Sequence, residues 1–203
     1  MGPQEVARFF RILAKHMEEP VVVTLTGAAA GSAWGHVRAS MDIDFGIEPR
    51  REREGNWERI EEAIRKTSLA TGITAQFSRN IERWGMISIG DYQKHTLPYR
   101  TFGRVEVRLL SPAHWAIGKL NRYLEQDAAD LRVVFRKQKP DLARTLRLWG
   151  KALRASPPSS SSFEFRQRVE RFLAGEGRAI WGRDFESERA IRAFRRHAGI
   201  PAG

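Results

Sequence analysis

The spacing of apolar positions changes several times along the chain, and each change marks an element. Val6, Phe9, Phe10, Leu13 and Met17 recur on one helical face. They predict a helix with Pro3 in its first turn, ending near Glu19-Pro20 and packed on a sheet. Val21-Val22-Val23-Thr24-Leu25 is β-branched and apolar, which predicts a buried strand. Gly27 breaks that strand, and Ala28 to Trp34 can begin a helix whose first N–H groups would seat an anion. A second short strand then holds Asp42 and Asp44. Period two along it puts both carboxylates on one face, with Ile43 and Phe45 buried on the other.

Glu48 to Gly55 reads as a charged, solvated turn whose alternative role is contact with a nucleic-acid backbone. Asn56 is a candidate N-cap, and Trp57, Ile60, Ile64 and Thr67 form a helical stripe that stops near Gly72. From Ile73 the period returns to two. Ile73–Phe77, Met86–Ile89 and Arg104–Leu109 are strand candidates, giving a mixed sheet of about five strands. Trp84 and Gly85 fall in a loop between them. Ser111-Pro112 is a helix start, serine as N-cap and proline in the first turn. Helices are expected at roughly 112–125, 127–138, 140–154, 162–174 and 186–198. Between the third and fourth, 155–162 is Ser/Pro-rich and predicts a flexible linker. The expected class is α+β, a mixed sheet flanked by helices over 1–110 with a helical region over 111–203.

Charge changes the picture. The 203 residues contain 35 Lys and Arg against 24 Asp and Glu, for a net charge of +11 and a pI near 10.8. Such an excess favours phosphate-rich partners, RNA, DNA or nucleotides. There is no cysteine, so disulfides and thiolate metal sites are excluded. The histidines (His16, His36, His95, His114, His197) show no zinc-ligand spacing. No run is apolar enough for a membrane span, and the charged first residues do not resemble a signal peptide. The expectation is a cytoplasmic protein without a membrane partner.

The order strand, glycine turn, helix, then Asp-x-Asp on a strand resembles the nucleotidyltransferase (polymerase-β-like) superfamily. Arg38-x-Ser40-x-Asp42-x-Asp44 is more closely similar to its AbiEii/MenT-type branch, the toxin-related bacterial nucleotidyltransferases. The chain departs from the pattern at Ala28, where glycine or serine is usual. Gly31-Ser32 offers a second alignment, but no strand precedes it. The resemblance implies a nucleotidyltransferase fold with Mg²⁺ or Mn²⁺ and a nucleoside triphosphate such as ATP as substrate. Hard oxygen ligands suit magnesium, and two-metal sites set the ions about 3.5–4 Å apart. Asp42 and Asp44 would be metal ligands. Glu106, flanked by the core residues Val105 and Val107, is the candidate third; alternatively it pairs with an arginine on an edge strand. Gly27, Ala28, Arg38 and Ser40 would bind the nucleotide. Arg38 could instead pair with an aspartate, and Ser40 could act as a cap.

Downstream, Lys119-Leu120-x-Arg122 followed by Asp127-x-x-Asp130 is similar to a segment of the same branch. The resemblance implies active-site roles for Lys119, which would also hold the triphosphate, and for Asp127 or Asp130. On one unbroken helix Lys119 and Asp130 would lie ~16 Å apart along the axis. The chain must therefore turn near 125–127, where Asp127 could equally serve as a cap. Trp149, Phe163 and Trp181, among many arginines, are either core or base-stacking residues. The implied activity is transfer of a nucleoside monophosphate to an acceptor hydroxyl. tRNA is the first acceptor to test, and the chain would act as a toxin beside an antitoxin protein. The alternatives are a catalytically silent nucleotide- or RNA-binding protein of the same fold, or a small-molecule nucleotidyltransferase.

Overall fold

The computed structural model describes residues 2–35 and 42–201. Within it the chain packs as two compact units, Met1–Ile81 with Gln93–Leu110, and Glu82–Tyr92 with Ser111–Gly203. The second unit thus recruits a short segment from what reads in sequence as the first.

The first unit is a sheet covered on one face by helices. Helix α1 (Pro3–His16) is followed by β1 (Val21–Leu25), α2 (Gly27–Ala33), β2 (Asp42–Pro49), α3 (Asn56–Thr71) and β3 (Thr74–Ser78). Strands β4 (Thr96–Phe102) and β5 (Val105–Leu110) complete it. The order is β3-β2-β1-β5-β4, with β1 antiparallel to β2 and parallel to β5, so the sheet is mixed and the class is α+β. Alternation sorts the side chains. Val21, Val23, Leu25, Ile43, Phe45, Ile47, Val105, Val107 and Leu109 are buried on one face. The buried stripe of α1 packs there, with Phe9 and Phe10 edge-on to Phe45 at ring separations of 5.9 and 5.6 Å. The stripe of α3, Ile60, Ile64 and Thr67, is buried as well. Asn56 is not its N-cap: Gly55 holds that position, and the buried Asn56 side chain donates to the Arg51 carbonyl.

One expected strand is absent and one strand was not expected, each for its own reason. Met86–Ile89 alternates in sequence but forms no ladder, because Ser88 N donates to the Ser156 hydroxyl and ties the segment into the second unit. The fifth strand is instead β4, which Pro98 disguises: proline is tolerated there because β4 is an edge strand with an irregular register between Pro98 and Arg100. Trp84, expected in a loop, closes a 3₁₀ turn over Ile81–Trp84.

The second unit is helical: α4 (Pro112–Arg122), α5 (Glu125–Gln138), α6 (Leu142–Ala155), α7 (Ser160–Trp181) and α8 (Ser187–His197). Ser111 caps α4, its hydroxyl accepting from His114 N. The expected linker at 155–162 is not flexible chain. Ser156 is buried and bonds back to the Ala152 carbonyl, while Ser159 caps α7 and Ser160–Ser162 form its first turn. Trp149 is core, fully buried, with its indole N–H on the Ala113 carbonyl. Trp181 donates to the Pro140 carbonyl, whereas Phe163 is exposed. Among the described residues no helix is long and apolar enough to cross a membrane.

Candidate active site

The acidic pair stands where β2 meets the turn after β1. Asp42 and Asp44 are partly exposed while Ile43 and Phe45 between and beside them are fully buried, so the two carboxylates share the polar face of the sheet. β1 and β2 continue their ladder past Leu25, since Thr26 N donates to the Asp44 carbonyl at 3.0 Å. That bond brings the Asp44 side chain against Gly27. A Cβ placed on Gly27 would lie 1.9 Å from Asp44 Oδ2, and Gly27 has φ +60, a left-handed conformation that glycine adopts without strain. The glycine is therefore required twice, by backbone and by the carboxylate over it. Asp42 is oriented from the neighbouring strand: Gln76, two residues on from its register partner Thr74 and directly opposite Asp44, donates Nε2 to Asp42 Oδ2 at 3.0 Å.

The alternative alignment at Gly31-Ser32 falls inside α2, with both residues buried. The glycine turn that closes β1 is thus Gly27-Ala28. Arg38 and Ser40 lie outside the described residues.

Glu106 does not join the pair. Its register partner on β1 is Val22, four residues before Thr26, which is bonded to Asp44. At ~3.3 Å per residue this sets Glu106 about 13 Å from the Asp44 rung along the strand direction. The carboxylate is instead held by Arg50 and by Arg108 Nη1 at 2.8 Å, and Arg108 is in turn bonded to Thr96. The hydrogen bond from Arg108 and the two guanidinium charges keep Glu106 below the usual carboxylate range. The expected third metal ligand is an arginine-paired glutamate, on an interior strand rather than an edge one. Among the described residues no group of three acids or histidines is placed to hold a metal ion.

Asp42 and Asp44 remain as the two carboxylates that could hold a magnesium ion. Mg²⁺ is commonly bound by one or two carboxylates, with water and substrate phosphates filling its shell. Asp42 and Asp44 provide that set on a solvent-reached face.

Lys119, Asp127 and Asp130 are brought together in the second unit. Helix α4 ends at Arg122, Tyr123 takes a left-handed conformation with φ 50, and α5 starts at Glu125. The sharp corner folds α5 back on α4, so the separation of an unbroken helix does not arise. Lys119 Nζ donates to Asp127 Oδ1 at 3.0 Å and Asp130 Oδ2 at 2.6 Å, and all three residues are buried. Arg122 grips both oxygens of Asp127 at 2.7 Å. Leu124 N donates to Asp127 Oδ2, so Asp127 caps α5 as well. Burial alone would raise the Asp127 pKa, but the bonds from Arg122 and Lys119 outweigh it and hold the carboxyl below its ordinary value. Two cations balance two anions. The sequence required a turn near 125–127 for these residues to meet; the structure sets the corner at Tyr123, where no glycine or proline marks it, and Asp127 takes the capping role.

Searches of protein-family models, of curated proteins and of solved structures find no match to this chain.

Proposed function

We propose that the chain is a metal-dependent nucleotidyltransferase that moves a nucleoside monophosphate from a nucleoside triphosphate to an acceptor hydroxyl. One observation supports it above the others: Asp42 and Asp44 face the same way on β2, with the Asp44 carboxyl against the Gly27 turn. In this reading Asp42 and Asp44 hold Mg²⁺, which when bound offsets phosphate charge and makes the acceptor hydroxyl more acidic. Gln76 fixes the Asp42 carboxylate, and the Thr26–Asp44 backbone bond fixes the Asp44 rung. Gly27 leaves room for the Asp44 carboxylate beside the turn, and Arg38 and Ser40 would supply polar contacts to phosphate. Lys119 and Asp127 are assigned a structural role, because their charges are satisfied within their own cluster.

RNA is the favoured acceptor class, tRNA first, since a chain of net charge +11 suits a polyanion better than a small cationic acceptor. A toxin role with an antitoxin partner belongs to the proposal through the AbiEii/MenT resemblance alone. Ala28 favours a second reading, a silent nucleotide- or RNA-binding protein, because no hydroxyl stands at that place in the turn. Incubation with labelled nucleoside triphosphates, Mg²⁺ and total tRNA separates the two. Label transfer by the wild type, abolished in Asp42→Ala and Asp44→Ala, is the expected result. No transfer, or equal transfer by the variants, contradicts the enzyme.

A further inference from the structure

The largest unbalanced charge in the second unit lies on α6 and α8. Helix α6 contains Arg144, Arg147, Lys151 and Arg154 and no acidic residue. At 100° per residue these four fall within one stripe, opposite the buried positions Thr145, Leu146, Trp149 and Ala152. All four are exposed, and the stripe is ~15 Å long. Helix α8 repeats the arrangement, with Arg189, Arg192 and Arg196 on its exposed side and Ala190 and Phe194 buried.

The two helices pack very closely. A Cβ on Gly150 would lie 2.4 Å from His197 Cβ and 2.9 Å from Ala198 N, so only glycine permits this approach. The close packing gathers Arg147, Lys151 and Arg154 of α6 and Arg196 of α8 around His197. Burial first, then the charges of Arg196, Arg147, Lys151 and Arg154, push the His197 imidazole pKa down. Three nearby acids are already committed: Asp141 caps α6, Glu170 takes Arg195 and Arg166, and Glu188 faces Arg192 at 3.4 Å. Among the described residues, Arg147, Lys151, Arg154, Arg189 and Arg196 enter no ion pair.

We propose that this α6–α8 face binds the phosphate backbone of RNA. Its composition selects a nucleic acid over other polyanionic partners. No large apolar side chain is exposed on α6 or α8. A protein interface would need buried aromatic or aliphatic anchors there. A helix lying in a membrane surface would need an apolar face to insert, and the apolar faces of both helices are used in the core. Guanidinium forks match phosphate oxygens in pairs, and six of the seven cations are arginine. Contacts to phosphates alone position a nucleic acid without reading its sequence. The choice of RNA over DNA rests on the acceptor proposed above; the cationic face does not.

The test is fluorescence anisotropy with a labelled RNA hairpin and a DNA hairpin of the same sequence, across a KCl series. Each lost phosphate contact lowers the slope of log K against log salt by about 0.7–0.9. The expected decrease is therefore about 2–2.7 for Arg147→Gln/Lys151→Gln/Arg154→Gln, with RNA bound more tightly than DNA. Arg189→Gln/Arg196→Gln should lower it by about 1.4–1.8 and decides the matter if the triple variant fails to melt cooperatively. Arg8→Gln/Arg11→Gln/Lys15→Gln, matched in charge but on α1, should keep the wild-type slope. An equal decrease in that control, no decrease in the face variants, or DNA binding as tight as RNA overturns the proposal. Asp42→Ala should bind the RNA hairpin as the wild type does. Binding without transfer therefore sinks only the enzymatic reading, and transfer without face-dependent binding sinks only this one.

Discussion

Gly27 is the position where a single atom decides most. Adding one methyl group meets Asp44 Oδ2 at 1.9 Å and forces an L side chain to φ +60. The backbone cost alone is about 1 kcal/mol, and displacing Asp44 adds to it. Gly27→Ala should lower the melting temperature by several degrees and weaken Mg-dependent nucleotide binding together. A variant that melts and binds as the wild type does would show that Asp44 is not held over the turn. The acidic pair itself was legible in the sequence, since alternation with Ile43 and Phe45 requires Asp42 and Asp44 to face one way. Glu106 was not. Its face could be read from Val105 and Val107, but its distance from Asp44 depends on β5 pairing with β1 in a register no local pattern encodes.

At the scale of elements, the corner between α4 and α5 makes the clearest energetic claim. A buried ion cluster is costly to break from one side, about 3–5 kcal/mol, because the remaining charges lose their partners. Asp127 has its folded-state pKa below the unfolded value near ~3.9. Its contribution is therefore complete above that value and is lost as pH falls through it toward the folded one. In urea titrations the stability gap between wild type and Asp127→Asn should be widest near neutrality and shrink below about pH 4. A gap that stays constant, or grows on acidification, would contradict the cluster. Elements with strong periodicity, α1, β1 and α3, are recovered from sequence to within a few residues. Those that differ were hidden by particular chemistry. Pro98 conceals β4, and the alternating Met86–Ile89 lacks a ladder partner. The serine run at 159–162, flexible by composition, serves instead as N-cap and first turn of α7.

Across the whole molecule the charges divide by task. Acidic side chains that face solvent as a pair occur beside the glycine turn in the first unit, whereas among the described residues of the second unit Arg147, Lys151 and Arg154 on α6 and Arg189 and Arg196 on α8 enter no ion pair. A net charge of +11 announced a phosphate-bearing partner but gave no location. Location came from packing, because Gly150 and the buried faces of α6 and α8 determine which cations are left outward. The central claim is narrower than the charge: two carboxylates on β2 hold a divalent ion for a triphosphate. Calorimetry with non-hydrolysable nucleoside triphosphates, with and without Mg²⁺, tests it most directly. Binding should require Mg²⁺ and weaken at least about tenfold, roughly 1.4 kcal/mol, in Asp42→Asn and in Asp44→Asn, while Glu106→Gln binds as the wild type does. Binding that is indifferent to Mg²⁺, or that survives both aspartate substitutions, would contradict it.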